Sequence, residues 1–210
     1  MQNISELCSG IILAGGLSTR LGGRNKAMIQ VDGKRILDRI YETYLELFDE
    51  IILVTNSPLE YLNWNVLSVA DIFPIRSSLT GIHAGLFYSS RPFAFISACD
   101  MPFLRREIIS LLISSIGQDK DIVIPETEKG LEPLCAVYSK SCLTTINKHL
   151  QAGNLKIQEV FRKTQIRKIP EIQIRQADSE LVSLININTP EDLERLTSCT
   201  DSYPQISHSV

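Results

Sequence analysis

The chain has 210 residues, of which 44% are hydrophobic and 21% are charged, as is usual for a folded globular protein. Its formal net charge of −3 predicts no basic surface for nucleic acid, and no apolar run approaches the roughly 20 residues that cross a bilayer. We therefore expect one substantial domain that has neither nucleic acid nor a membrane as a partner.

The N-terminus and the cysteines predict a cytoplasmic location. Residues 1–9 have neither the basic stretch nor the cleavage-like site of an export signal. The five cysteines, an odd number without a C-x-x-C pair, favour reduced thiols over a disulfide framework or a zinc site.

Strand-like and helix-like stretches alternate along the chain. The strand candidates are short apolar runs, at Ile11–Leu13, Ile51–Thr55, Val66–Val69, Phe93–Ser97, Ile122–Ile124, Leu134–Tyr138 and Leu184–Ile187. Helical patterns lie between them, at Arg35–Phe48, Arg105–Ile116, Lys140–Leu150 and Leu155–Arg162. The basic stretch 162–168 is interpreted as a solvated face. This alternation predicts an α/β three-layer sandwich with a mostly parallel sheet.

The last helix has the clearest start signal. Thr189 is placed to cap it, Pro190 suits the first helical position, and Asp192 stands where a capping box usually has Glu. Beyond it, residues 198–210 are polar and show no periodicity, so we expect a disordered tail after a single domain over 1–197.

The segment 10–26 constrains function most tightly. A buried strand there delivers a loop with few side chains, which lets backbone N–H groups approach an anion while long cationic side chains neutralise it. A nucleotide phosphate fits such a loop best. The spacing matches neither standard phosphate motif, and paired glycines are also ordinary turn residues, so both interpretations stay open at this point. The residues concerned are Gly15-Gly16, Arg20, Gly22-Gly23, Arg24 and Lys26.

Polar residues follow several other strand candidates, and ligands collect at the carboxyl ends of strands in open α/β sheets. Asp100, followed by Met101-Pro102, is either the N-cap of the next helix or a ligand for Mg²⁺. A metal role requires a phosphate site at the same sheet edge, which the glycine loop supplies. Asp71 either binds a nucleotide or starts a turn.

With these residues assembled, the chain resembles the molybdenum cofactor guanylyltransferases, a nucleotidyltransferase family with a Rossmann-like sheet. The resemblance covers residues 11–197. The segments that carry it are Leu13-Ala14-Gly15-Gly16-x-Ser18-x-Arg20-x-Gly22-x-x-x-Lys26, Asp71, Thr80-Gly81-Ile82-x-Ala84-Gly85, Cys99-Asp100-Met101-Pro102-Phe103-Leu104, Pro133-Leu134-x-Ala136-x-Tyr138 and Asn186-x-Asn188-Thr189-Pro190-Glu191-Asp192-Leu193.

The resemblance implies that the terminal phosphate of molybdopterin attacks GTP, releasing pyrophosphate and forming a guanine dinucleotide cofactor. It implies Mg²⁺ as cofactor, and molybdenum-insertion proteins and acceptor apoenzymes as protein partners. The implied nucleotide-binding residues are Leu13, Ala14, Gly15, Gly16, Lys26, Asn56, Asp71 and Asp100. Asp100 is also the implied metal ligand, Asn186 and Asn188 lie near the pterin, and the implied catalytic residues are Lys26, Arg20 and Asp100.

The chain departs from the family pattern at two places. Asn25 stands where the family usually has an acidic residue, and Ser78–Gly81 lacks a Gly-Pro pair that would stiffen a loop facing the nucleotide. The base preference therefore stays open, with a cytidylyltransferase acting on the same pterin as the nearest alternative. A sugar-phosphate nucleotidyltransferase and a non-catalytic nucleotide-binding handover protein are the others. Gly16 favours guanine, the Asn-x-Asn-Thr-Pro ending argues against sugar phosphates, and Asp100 with Lys26 argues against a binding protein.

Overall fold

The structure of the protein is a computed structural model that describes residues 4–15, 25–189 and 192. The predicted tail, 198–210, lies outside the described residues. No helix within the described part combines the length and the apolar character that crossing a bilayer requires.

Strands and helices alternate as the sequence predicts. The strands are β1 Cys8–Leu13, β2 Gln30–Val31, β3 Lys34–Arg35, β4 Ile51–Val54, β5 Leu67–Val69, β6 Phe93–Ala98, β7 Ile122–Thr127, β8 Gly130–Leu131, β9 Cys135–Ser139 and β10 Ile166–Pro170. The helices are α1 Ile4–Leu7, α2 Ile36–Leu45, α3 Ser78–Tyr88, α4 Arg106–Ser114, α5 Cys142–Gln151, α6 Ile157–Phe161 and α7 Glu171–Ala177. Short 3-10 turns form at Lys26–Met28, Pro58–Tyr61 and Val182–Leu184.

The central sheet has the order β10-β7-β9-β6-β1-β4-β5, with β8 paired to β7. Strands β6, β1, β4 and β5 run parallel to one another, and β10 runs parallel to β7. Only β9 is antiparallel to both of its neighbours in the main order. The predicted mostly parallel α/β sheet is therefore confirmed.

Apolar layers cover both faces of the sheet, because successive strand residues point to opposite sides. Ile11 belongs to the core cluster shared with α3, α5 and α6, whereas its neighbour Ile12 belongs to the cluster shared with α2, α4 and α7. The result is the predicted three-layer sandwich, with helices on each side of one sheet.

Helix α3 lies unusually close to β1, and glycines allow the approach. A Cβ on Gly85 would lie 2.6 Å from the Ile11 side chain, and one on Gly81 would lie 3.3 Å from that of Leu13. The interpretation of Ser78–Gly81 as a loop is wrong, since these residues form the first turn of α3. The helix is buried from Leu79 to Leu86 and so lacks the polar face that marks most helices in a sequence.

Near the C-terminus, one prediction needs correction and another was incomplete. The predicted strand Leu184–Ile187 is not in the sheet. A 3-10 turn occupies Val182–Leu184 instead, and it begins after Leu181, whose backbone is left-handed with φ 54°. The cations of the basic stretch are exposed, which confirms the predicted solvated face, but Arg167 and Lys168 also belong to edge strand β10, which was not predicted. An apolar run alone does not distinguish a strand from a buried turn, and a charged edge strand lacks the apolar run that usually marks a strand in the sequence.

The predicted capping box is confirmed at its two polar residues. The Asp192 N–H donates to Thr189 Oγ1 at 3.1 Å, and the Thr189 N–H donates to Asp192 Oδ2 at 2.9 Å. These reciprocal bonds satisfy donors that a helix start leaves without partners. Pro190 lies outside the described residues.

Candidate nucleotide and metal site

A cleft of about 360 Å³ opens at the carboxyl ends of β1, β4, β5 and β6, within the size range of small-molecule sites. It lies where distant polar residues were predicted to meet. Its lining includes Leu13, Ala14, Gly15, Asn25, Lys26, Val54, Thr55, Asp71, Arg76, Ser77, Ser78, Gly81, Ala98, Cys99, Asp100 and Leu134.

The backbone after β1 is held at the cleft by the neighbouring strands. The Ala14 N–H donates to the Val54 carbonyl at 2.9 Å, and the Leu13 carbonyl accepts from the Cys99 N–H at 3.1 Å. At Gly15 the position of a Cβ is open, with the Val54 carbonyl oxygen 4.0 Å away. Leu13, Ala14 and Gly15 therefore line the cleft with a backbone that the neighbouring strands fix, and their nucleotide contacts stay a prediction.

Lys26 joins the residues predicted for the two substrates. Its Nζ donates to Asp100 Oδ2 at 2.9 Å and to Asn188 Oδ1 at 2.7 Å. The side chains of Lys26 and Asp100 are only 19% and 17% exposed, so water screens this ion pair less than it screens a surface pair. The arrangement places one ammonium group where phosphates of two ligands can meet.

Asn188 reaches Lys26 because the chain beside it is anchored to Asp100. The Ile187 N–H donates to the Asp100 carbonyl at 2.9 Å, and the Ile187 side chain is fully buried in the core. The Asn186 amide lies 3.5 Å from the Leu184 carbonyl and does not line the cleft, so its predicted pterin role stays a prediction.

Asn56 and Asp71 form a reciprocal pair at the ends of β4 and β5. Asn56 Nδ2 donates to Asp71 Oδ2 at 2.8 Å, and the Asp71 N–H donates to Asn56 Oδ1 at 3.2 Å. Asp71 lines the cleft, whereas Asn56 lies behind it. Asn56 thus fixes the carboxylate that faces the cleft. The predicted residues Gly16 and Arg20 lie outside the described residues.

At the start of α3, sequence reasoning placed Ser78–Gly81 near the nucleotide but missed the helix itself and the lining residues Arg76 and Ser77. Ser77 Oγ accepts from the Thr80 N–H, and the Ser77 N–H donates to Thr80 Oγ1, each at 3.1 Å. Ser77 and Ser78 line the cleft together with the exposed cation Arg76. The spacing Ser77-x-x-Thr80 is the sequence signal that could have revealed this helix start, although a capping box usually ends in Glu or Gln.

Cys99 lines the cleft without the character of a nucleophile. Burial raises the pKa of its thiol to about 12, so the group stays protonated at neutral pH. The cysteines in the described residues are all free and buried, in agreement with the prediction of reduced thiols.

The side chains of the cleft can be compared with the ligands that the predicted Mg²⁺ requires. The described residues hold no group of three or more His, Cys, Asp or Glu side chains that could cage a metal. Mg²⁺ usually keeps several waters and binds through one or two carboxylates together with substrate phosphates. Asp100, a carboxylate of the cleft lining beside Lys26, fits an ion held mainly by substrate phosphates and waters.

The chain is similar to proteins of known family. The model of the MobA-like NTP transferase domain matches residues 10–168. The chain is 48% identical over 190 residues to a molybdenum cofactor guanylyltransferase of Desulfosudis oleivorans, covering 90% of this chain and 94% of the relative. It is 40% identical over 197 residues to a probable molybdenum cofactor guanylyltransferase of Natranaerobius thermophilus, covering 91% and 96% of the two chains.

A solved structure extends the likeness to the fold. Molybdopterin-guanine dinucleotide biosynthesis protein A from Archaeoglobus fulgidus superposes with a TM-score of 0.80 at 26% identity. The match covers 93% of this chain and 100% of that protein.

Proposed function

Because the chain belongs to the MobA-like NTP transferase family, we propose that this nucleotidyltransferase moves the guanylyl group of GTP to the terminal phosphate of molybdopterin. A pterin phosphate oxygen forms a bond to the α-phosphorus of GTP. The bond from that phosphorus to the bridging oxygen breaks, and pyrophosphate leaves with the bond's electron pair. The product is a guanine dinucleotide form of the cofactor.

The position of Lys26 between Asp100 and Asn188 carries the proposal. Leu13–Gly15 and the Asn56–Asp71 pair form what we term the nucleotide half of the site. The chain from Ile185 to Asn188 is not part of the cleft lining; it reaches Lys26 through Asn188 Oδ1, and we term it the pterin half of the site. Lys26 and Asp100 lie where the halves meet, with the Lys26 Nζ 2.9 Å from Asp100 Oδ2 and 2.7 Å from Asn188 Oδ1 in the pterin half.

The protein's own groups act by placement and charge. The fixed backbone of Leu13–Gly15 orients the nucleoside, and the Lys26 ammonium stabilises negative charge on the transferring phosphoryl group. Phosphoryl transfer requires little covalent chemistry from the protein. The cleft agrees with this, because burial keeps the Cys99 thiol protonated and therefore a poor nucleophile.

Asp100 is the proposed holder of Mg²⁺. When bound, Mg²⁺ would neutralise negative charge on the phosphates. Because Asp100 Oδ2 also accepts from Lys26, the carboxylate sets the ammonium and the metal position relative to each other.

Pyrophosphate release measured with molybdopterin and each nucleoside triphosphate in turn tests the proposal. We expect release with GTP and little with CTP. Release with CTP alone would make the protein a cytidylyltransferase, and no release with any nucleotide would support a cofactor-handover protein. The protein partners and the cytoplasmic location stay predictions.

A further inference from the structure

A hydrogen-bond network in the wall of the cleft is centred on Asn25, the residue before Lys26. Asn25 Nδ2 donates to Glu60 Oε2 and to Tyr61 Oη, each at 2.7 Å. Asn25 Oδ1 accepts from the Ala27 N–H at 3.1 Å and so caps the turn that begins at Lys26. Both amide hydrogens and the amide oxygen are therefore in use.

Tyr61 carries the network to the nucleotide half. Its hydroxyl donates to the Ala14 carbonyl at 3.2 Å, and its side chain is 1% exposed. Burial raises the pKa of Tyr61 to about 12, so the hydroxyl keeps its hydrogen at neutral pH. That single hydrogen points to Ala14, while the oxygen accepts from Asn25. The path thus runs from the Lys26 turn through Asn25 and Tyr61 to the backbone at Ala14.

We propose that Asn25 is a positioning residue that fixes Lys26 relative to Ala14, and that Glu60 makes an amide necessary at this position. The proposal rests on the proposed function, in which Ala14 orients the nucleoside and Lys26 acts on its phosphates. Asn25 lines the cleft, but both of its amide hydrogens and its amide oxygen are engaged within the protein, so in this proposal it acts by setting the distance between Lys26 and Ala14.

The chemistry of the network explains why a carboxylate does not fit. An aspartate at position 25 has no hydrogen to donate, and its oxygens would face the Glu60 carboxylate at the present 2.7 Å contact. Like charges in contact repel. The Tyr61 hydroxyl would also turn its one hydrogen towards the new carboxylate and release the Ala14 carbonyl. The isosteric change Asn25→Asp therefore breaks both ends of the path without altering side-chain volume.

A double-mutant cycle of Asn25→Asp and Glu60→Gln tests the inference. We expect Asn25→Asp to lower kcat for pyrophosphate release about tenfold, as for loss of a hydrogen bond to a charged group, with a smaller change in KM for GTP. Adding Glu60→Gln supplies an amide that donates to the new carboxylate and removes the like-charge contact, so the double variant recovers part of kcat. The rest of the loss persists, because the Tyr61 hydroxyl stays turned away from the Ala14 carbonyl. Asn63→Asp is the matched control, since Asn63 is exposed and makes no side-chain hydrogen bond to any described residue.

A second readout does not depend on turnover. Acylation of the Lys26 amine by an amine-directed reagent, followed by mass spectrometry on the nucleotide-free protein, reports how the side chain is held. We expect faster acylation in Asn25→Asp and a return towards the wild-type rate in the double variant.

The outcomes separate this inference from the proposed function. An inactive wild-type protein overturns the proposed function, and the acylation rates alone then decide the position of Lys26. Wild-type kcat and acylation in Asn25→Asp overturn the positioning role. A loss of kcat in Asn25→Asp that Glu60→Gln leaves unchanged also overturns the positioning role. A loss of kcat that is explained by a lower folded fraction at the assay temperature does the same.

Discussion

The two halves of the site differ in how the fold holds them. The nucleotide half continues the sheet, since Ala14 bonds to Val54 and Thr55 bonds to Val69 through backbone groups. The pterin half lies outside the sheet and is fixed by the Ile187–Asp100 backbone bond, by burial of Ile187 and by contacts of Asn188. In the proposed function, the fold therefore builds the nucleotide half from its strands and attaches the pterin half through Asp100.

This difference predicts how substitutions in each region should affect the reaction. Changes at the junction, Lys26 and Asp100, should impair the chemical step itself. Changes within one half should alter use of one substrate and spare the other. The variants below test that division in order of decreasing effect.

The largest effect is expected for Asp100→Asn, which keeps the side-chain shape and removes the charge. We expect turnover to fall on the order of 10³-fold, since a main electrostatic group is lost at the reacting phosphates. Pyrophosphate release measures the rate, and circular dichroism checks the fold. Asp119→Asn, at an exposed position away from the cleft, is the matched control. Near-normal turnover of Asp100→Asn in Mg²⁺ would remove Asp100 from the mechanism.

Lys26→Met should lower kcat about 10²-fold, as expected when one charge-stabilising group is lost from a transition state. Binding of GTP, followed by calorimetry, should weaken less than kcat falls. Lys163→Met, an exposed lysine outside the cleft, serves as control. Equal losses in kcat and in GTP binding would show that Lys26 holds the substrate without favouring the transition state.

Asn188→Ala and Asn56→Ala compare the halves directly. We expect Asn188→Ala to raise KM for molybdopterin about tenfold and Asn56→Ala to raise KM for GTP by a similar factor, the cost of a lost hydrogen bond to a charged group. Steady-state rates with each substrate varied in turn give both constants. If each variant changed both KM values equally, the halves would not be separate sites.

The smallest effect is expected for Ile187→Val, which removes one buried methylene from the anchor of the pterin half. The free energy of unfolding should fall by about 1 kcal/mol in urea titrations. KM for molybdopterin should rise slightly, while GTP binding stays unchanged because the nucleotide half does not depend on this anchor. A weaker affinity for GTP in this variant would contradict that independence.

Sequence alone predicted the parts of the site that follow from sheet topology. Lys26 and Asp100 are far apart in the chain, yet both were placed near the same edge, and their contact at 2.9 Å confirms that placement. Asn188 reaches Lys26 as well, although the strand that was predicted to carry it there does not form. Strand ends are predictable because apolar runs are visible and parallel strands share one carboxyl edge. The resemblance added the roles of these residues.

Contacts between side chains of distant segments could not be predicted. Asn25 was visible only as a departure from the family pattern, because its partners Glu60 and Tyr61 lie 35 and 36 residues away. Helix α3 was missed since burial on all sides removes its polar face, and Leu184–Ile187 was misassigned since apolarity alone does not distinguish a strand from a buried turn.

The most direct test of the guanylyl transfer follows the label from GTP carrying radioactive phosphorus at either the α or the γ position. With molybdopterin present, the wild-type protein should move the α label into the pterin product and release the γ label as pyrophosphate, and Asp100→Asn should do neither. Transfer of the γ label to the pterin, or no transfer of the α label by the wild-type protein, would contradict the proposed reaction.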